Sequence, residues 1–290
     1  PERTEFNIVA MPGLTNNTLN SKLVRTAEGR GDALAIIDPQ GGYVASTEGT
    51  QSIEDRIGSV DSTVNNMQQN LKLNSSYGAA YYPWVQIRDT VNGATLWAPP
   101  SVAAIGALSY SEAVSELWFA PAGFTRGGLS ANNAAGLPVV GVRQRLTSKE
   151  RDKLYENNIN PIASFPAEGI VIFGQKTLQT TPSALDRINV RRLTIFLKRE
   201  ISRIAATLLF DQNVKMTWNK FRGQAERFLA GVKSGLGLTD YKVILDESTT
   251  TPDLIDRNIL YAKIFVKPAR AIEFIAIDFV ITDSGAAFDD

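Results

Sequence analysis

The side chains best equipped for acid–base chemistry are the carboxylates Asp38, Asp186 and Asp256. Asp38 follows the apolar run Ala33–Ile37 and so falls at a strand end, where open α/β sheets place ligand-facing groups. Asp186 and Asp256 each precede an arginine, Arg187 and Arg257. Both Asp-Arg steps read as charge pairs at element boundaries, worth about 0–1 kcal/mol when exposed. Carboxylates are the candidates that remain because the chain contains no histidine and no cysteine. That composition excludes Ser-His and Cys-His triads, thiolate metal sites and disulfides. No Gly-x-x-x-x-Gly-Lys-Ser/Thr phosphate loop is present, and the glycines from Gly123 to Gly128 lack the spacing of a dinucleotide fingerprint. The expectation is a protein that is not an enzyme and needs no cofactor or metal.

A second constellation is cationic. Arg187, Arg191, Arg192, Lys198, Arg199 and Arg203 recur along one helical stretch. They form either a solvated basic face or a strip that docks on an acidic partner. Nucleic acid is not the expected partner: no aromatic residues interleave with the basic ones, and Lys plus Arg balance Asp plus Glu at 30 each. No apolar run reaches the ~18–20 residues of a membrane-spanning helix, so no membrane partner is expected.

The elements that must position these residues change type along the chain. Phe6–Ala10 and Ala33–Ile37 are short apolar runs flanking a helical stretch from Thr15 to Ala27 with Leu19, Leu23 and Val24 on one side. This is a β-α-β pattern, and the uninterrupted second run suits a strand buried on both faces. A helix is predicted over Gln51–Leu71, a strand over Tyr81–Ile87, and a helix opening at Pro99-Pro100. The glycine-rich segment after Gly123 reads as a connection. Thr147-Ser148-Lys149-Glu150 has capping-box spacing. Amphipathic helices follow at about Asn189–Phe210 and Thr217–Lys233, then strands Tyr241–Leu245, Leu260–Val266 and Ile272–Ile281. The fold expectation is therefore a two-domain chain, α/β and α+β. A layered α/β sandwich occupies residues 1–128, a linker 129–146, and an α+β domain 147–290. The final strand, with Ile272, Phe274, Ile275, Ile277, Phe279 and Ile281, lies at the chain end, where an unpaired edge invites another chain.

Several segments resemble, in order, the C-terminal region of contractile tail sheath proteins of tailed bacteriophages. They are Trp118–Gly127 with its Pro-Ala-Gly-Phe-Thr-Arg-Gly ending, Arg151–Tyr155, Asn158–Ile162, Phe173-Gly174-Gln175-Lys176-Thr177, Asp186–Leu193, Ile255–Asn258 and Lys267–Arg270. The Gly-Gln-Lys-Thr turn could be mistaken for half a phosphate loop. The resemblance covers about residues 77–290 well and the first 76 loosely.

The resemblance implies a structural subunit that polymerises as stacked hexameric rings around a tail tube and contracts to drive the tube through the host envelope during genome delivery. Its implied partners are itself, the tail tube protein, and the baseplate and tail terminator proteins. Its implied location is the virion tail, after assembly in the host cytoplasm. It also implies exchange of terminal strands between subunits, for which the six residues from Ile272 to Ile281 are the candidates. Arg191, Arg192, Lys198 and Arg199 are the tube-contact candidates. The alternatives are a bacteriocin or secretion-system sheath, and a carboxylate-based α/β enzyme. Because the chain opens at Pro1 without a methionine, an upstream linking strand is expected to be missing. The chain as given should sediment as a monomer while a version with restored upstream residues polymerises; filaments of the shorter chain alone would contradict this.

Overall fold

The computed structural model describes residues 4–44, 52 and 56–276. Strand β1 (Ile8–Ala10) lies parallel to β2 (Leu34–Ile37), joined by helix α1 (Asn17–Arg30). The helix begins where the Asn16 side chain accepts from the amides of Thr18 and Leu19. It ends at Gly31, whose φ of 71° suits a residue without Cβ and lets its amide donate to the Ala27 carbonyl. Strands β3 (Gly78–Tyr82) and β7 (Ile159–Phe165) extend the sheet in parallel, and β8 (Gly169–Ile172) closes it antiparallel, in the order β1-β2-β3-β7-β8.

Both faces of this sheet are covered, which accounts for the uninterrupted apolar run of β2. Leu34 and Ile36 join one core with Tyr81, Ile162 and the alanines of helix α3 (Pro100–Val114). Ala35 and Ile37 join a second core with α1 and with helix α2 (Val60–Asn66), which continues as a wider turn through Leu71. Alternate side chains of a strand point to opposite faces, so a strand with a helix layer on each side has no polar position.

The helix predicted from Gln51 is shorter in the structure. Residues 51 and 53–55 lie outside the described residues, and α2 starts only after the Ser59 cap, while Ile57 bridges to Tyr43. The strand predicted over 81–87 is two strands. It breaks at Pro83, which has no amide to continue a ladder. Strand β4 (Val85–Arg88) then belongs to a separate three-stranded antiparallel sheet, between β5 (Thr95–Ala98) and β6 (Val139–Val142).

The first structural unit therefore continues past residue 128. Strands β7 and β8 pair into its sheet, and Leu178 is buried in its second core. The expected linker, 129–146, carries β6 and buries Leu129 and Val139. Its glycines serve packing: a Cβ on Gly127, just after the short helix α4 (Gly123–Arg126), would stand 2.6 Å from the Ile172 carbonyl oxygen. The Gly127 carbonyl accepts from the Ile172 amide at 2.8 Å, and the Leu129 amide donates to Ile170 at 2.8 Å. The chain thus lines the outer edge of β8.

Helix α5 (Ser148–Glu156) carries the expected capping box. The Glu150 amide donates to Thr147 Oγ1 and the Thr147 amide to Glu150 Oε2, which holds the Glu150 carboxyl below its ordinary range. The second part of the chain comprises helices α6 (Ile188–Ala206) and α7 (Lys215–Ser234), strand β9 (Leu238–Ile244), the short helix α8 (Pro252–Asp256) and strand β10 (Lys263–Pro268).

Asp38 caps a helix start. Its side chain is buried at the end of β2 and accepts from the Gly13 amide (2.9 Å), the Ser101 amide (2.9 Å) and Ser101 Oγ (2.7 Å). Ser101 is in the first turn of α3, so the carboxylate satisfies amides at that helix start and faces the positive end of its dipole. Removing it leaves buried donors unpaired, at about 1–3 kcal/mol per group. Asp38→Ala should therefore lower unfolding stability by about 3 kcal/mol in urea titrations; a loss below about 1 kcal/mol would reject the capping role.

Candidate assembly interface

The basic residues of α6 do not share one surface. Arg191 and Arg192 are buried, at 4% and 2% exposure, between α6 and the first unit. The Arg191 guanidinium lies 4.0 Å over the Tyr77 ring and bonds Ser76 Oγ. Arg192 Nη2 reaches Glu112 Oε2 on α3 at 2.6 Å, and its Nη1 donates to the Leu108 carbonyl at 3.5 Å. Burial pulls both guanidiniums below their ordinary pKa, and Glu112 opposes that shift at Arg192. Of the four tube-contact candidates only Lys198 is exposed, while Arg199 is half-buried with its Nη2 on the Phe6 carbonyl at 3.4 Å. The four tube-contact candidates are thus split. The first two are inside the chain because the start of α6 is enclosed, with Ile188 in the core of the α/β unit.

The two Asp-Arg steps also differ. Asp186 pairs with Arg187 at 3.2 Å, but Arg257 turns to Asp253 at 3.9 Å, one helical turn back. The Gly-Gln-Lys-Thr turn is structural: the Lys176 amide bonds Asn160 Oδ1 at 2.6 Å, its Nζ bonds the Tyr155 carbonyl at 2.8 Å, and Thr177 Oγ1 bonds the Leu185 carbonyl at 3.1 Å. Among the described residues no cluster of three or more acidic residues is placed to hold a metal ion.

The second half of α6 leaves the α/β unit. Leu193 and Leu197 pack with Leu229, Val232 and Leu238 around Trp118, whose indole donates to the Gly235 carbonyl at 2.8 Å. A further core gathers Trp218, Phe221, Ala225 and Leu245. Strands β9 and β10 pair antiparallel and lay Tyr241, Val243 and Ile264 against these helices. Among the described residues neither strand has another strand partner, so each keeps an open outer edge. Phe265 is exposed on β10. The tip between α6 and α7 exposes Leu209, Phe210 and Met216, with Phe210 at a φ of 71° that an aromatic residue seldom adopts.

Beyond β10 the chain does not continue as a strand over 271–276. Ile272, Phe274 and Ile275 are 81%, 83% and 77% exposed, while Ile277, Phe279 and Ile281 lie outside the described residues. One residue of this segment is anchored: Glu273 accepts from Arg187 Nε at 2.6 Å and Nη2 at 2.9 Å. Neither Glu273 nor Glu112 was singled out from the sequence, although a lone carboxylate inside the apolar run Ile272–Ile277 was a signal for the former.

A two-faced α/β unit joined through α6 to a helical module, whose strand pair is open-edged among the described residues, is a sheath-type subunit fold. The sheath complex of an extracellular contractile injection system, PVC, in its contracted state has that fold: it superposes with a TM-score of 0.75 at 21% identity over 96% of this chain and 71% of the other. Residues 2–178 match the family model of the phage tail sheath protein central domain, and residues 180–282 that of the phage tail sheath C-terminal domain. The chain is 31% identical to the tail sheath protein of Enterobacteria phage T4 over 276 residues, 95% of this chain and 41% of that protein. It is 35% identical to the tail sheath protein of Vibrio phage KVP40 over 219 residues, 76% of this chain and 32% of that one. The chain belongs to the phage tail sheath family, and spans 41% or less of the length of these two relatives.

The burial pattern separates struts from surface groups. Arg192→Ala should cost about 3 kcal/mol, because it empties a filled site and strands polar atoms. Arg192→Met should recover most of that loss by refilling the space while the half-exposed Glu112 turns to water. Lys198→Ala should stay within about 0.5 kcal/mol. Chemical denaturation of the three variants checks the order.

Proposed function

We propose that the chain is part of a structural subunit of a contractile phage tail sheath, which polymerises as stacked hexameric rings around the tail tube and shortens to drive the tube through the host envelope. The observation that carries this reading is the β9–β10 pair, whose outer edges are open among the described residues, followed by the exposed Ile272, Phe274 and Ile275. An unpaired strand edge is a template for another chain, and addition of an extended segment supplies main-chain hydrogen bonds without a catalytic group. A donor on one copy and an acceptor edge elsewhere on the next make a head-to-tail contact, which generates rings and helices. The similarity to phage relatives at 31% and 35% identity favours a phage tail over other contractile systems.

The mechanical requirement is a rigid body with flexible links. Arg192 and the enclosed start of α6 supply the rigid body. The reading needs no reacting group, so we assign the chain no enzymatic role. The subunit's partners are further copies of itself, the tube protein, and the baseplate and terminator proteins. Its place is the virion tail, with assembly in the host cytoplasm. The tube contact falls to Lys198 and the outer part of Arg199.

The full-length protein, mixed with tube protein and viewed by electron microscopy, should give hollow tubes of stacked rings, and persistent monomers on a tube template would end the assignment. Lys198→Glu with Arg199→Glu should weaken tube binding in co-sedimentation, more so at low salt; unchanged binding would move the contact to another face.

A further inference from the structure

We propose that the Arg187–Glu273 ion pair is a clamp that stops the segment after β10 from pairing with its own β10 and so delivers it to a second copy of this chain. The inference rests on the strand exchange proposed above and concerns how self-pairing is avoided.

The competing arrangement is local. Residues Ile272–Ile281 are rich in Ile, Phe and Val and suit a strand. Ala269, Arg270 and Ala271 separate them from β10, and three residues are enough for a hairpin loop. The outer edge of β10 is open among the described residues. A segment tethered by three residues meets that edge at an effective concentration in the millimolar range or above, far beyond that of a neighbouring copy in dilute solution. Without an opposing contact, the segment would fold back and occupy the edge that the next subunit needs.

The structure holds such a contact. The Ala269 amide still donates to the Gly237 carbonyl at 3.0 Å, which keeps the chain beside the start of β9. Four residues later Glu273 is held on the α/β unit by both oxygens, at 2.6 and 2.9 Å from Arg187, with Gln175 Nε2 at 3.4 Å. The two side chains are 16% and 27% exposed, and a bidentate, partly buried Arg–carboxylate pair is among the stronger polar contacts available. Arg187 is itself fixed, at the entry of α6, paired with Asp186 and bridged through its backbone to Lys176. Apolar packing does not hold its described part, since Ile272, Phe274 and Ile275 are largely exposed. The charge pair therefore sets the direction in which the chain leaves, away from β10.

The test uses the full-length protein, below its assembly threshold and then above it. Hydrogen exchange in the monomer reads the β10 amides that β9 does not engage, and sedimentation with electron microscopy reads assembly. Glu273→Ala should slow exchange at those amides roughly tenfold as the segment folds back, and should slow polymerisation several-fold at an unchanged melting temperature. Arg187→Gln should act in the same direction. Deleting residues 271–290 should abolish assembly while leaving β10 fast to exchange. If Glu273→Ala exchanges and assembles like the parent while the deletion abolishes assembly, the clamp is wrong and strand exchange stands. If the deletion assembles normally, strand exchange itself fails and the clamp with it.

Discussion

A guanidinium sealed inside the chain is the contact on which the two parts depend. Arg192 reaches from α6 to Glu112 and Leu108 on α3, and α3 starts on the buried carboxylate of Asp38 at the end of β2. Sheet, α3 and α6 are therefore linked by polar contacts that lose much of their worth if any partner moves. A buried charge is costly unless its partners stay in place, so this arrangement favours one relative position of the two parts. Leu193 and Leu197, one and five residues further along the same helix, are already in the core of the second part. The helix belongs to both cores, and Trp118 reinforces the joint from the other side by inserting beside Gly235 and Gly237.

The two sheets treat their edges in opposite ways. The outer strand β8 is lined by Gly127–Leu129, whose backbone takes up its free hydrogen-bonding groups, and the glycines allow the close approach. The β9–β10 pair has no such cover among the described residues, although its inner face packs on α6 and α7 through the partly buried Tyr241, Val243 and Ile264. Exposed edges are ordinarily guarded. One edge lined and another left open within the same chain is the pattern expected of a subunit that joins others by backbone pairing, with rigid bodies on either side of the link.

Much of this was legible in the sequence. The β-α-β start, the capping box at Thr147 and the two amphipathic helices were visible because periodicity and cap chemistry are local. The ordered motifs from Trp118 to Arg270 indicated the family. Where local signals conflict with distant packing, the sequence misled. Pro83 sits inside one apolar run, yet the chain turns there into a different sheet. The glycines after Gly123 looked like a linker and are a packed edge.

The basic stretch of α6 marks the boundary between the two kinds of knowledge. The sequence by itself determined that Arg191, Arg192, Lys198 and Arg199 lie on one helix with Arg187 at its entry, because 3.6-residue periodicity needs only neighbours in the chain. It could not determine which of them face water. That depended on where α3, some 80 residues earlier, places Glu112, and on where the segment after β10, some 86 residues later, brings Glu273. Exposure and pairing are properties of surfaces that meet only on folding, so tertiary structure alone buried Arg192 against Glu112, paired Arg187 with Glu273 and left Lys198 at the surface.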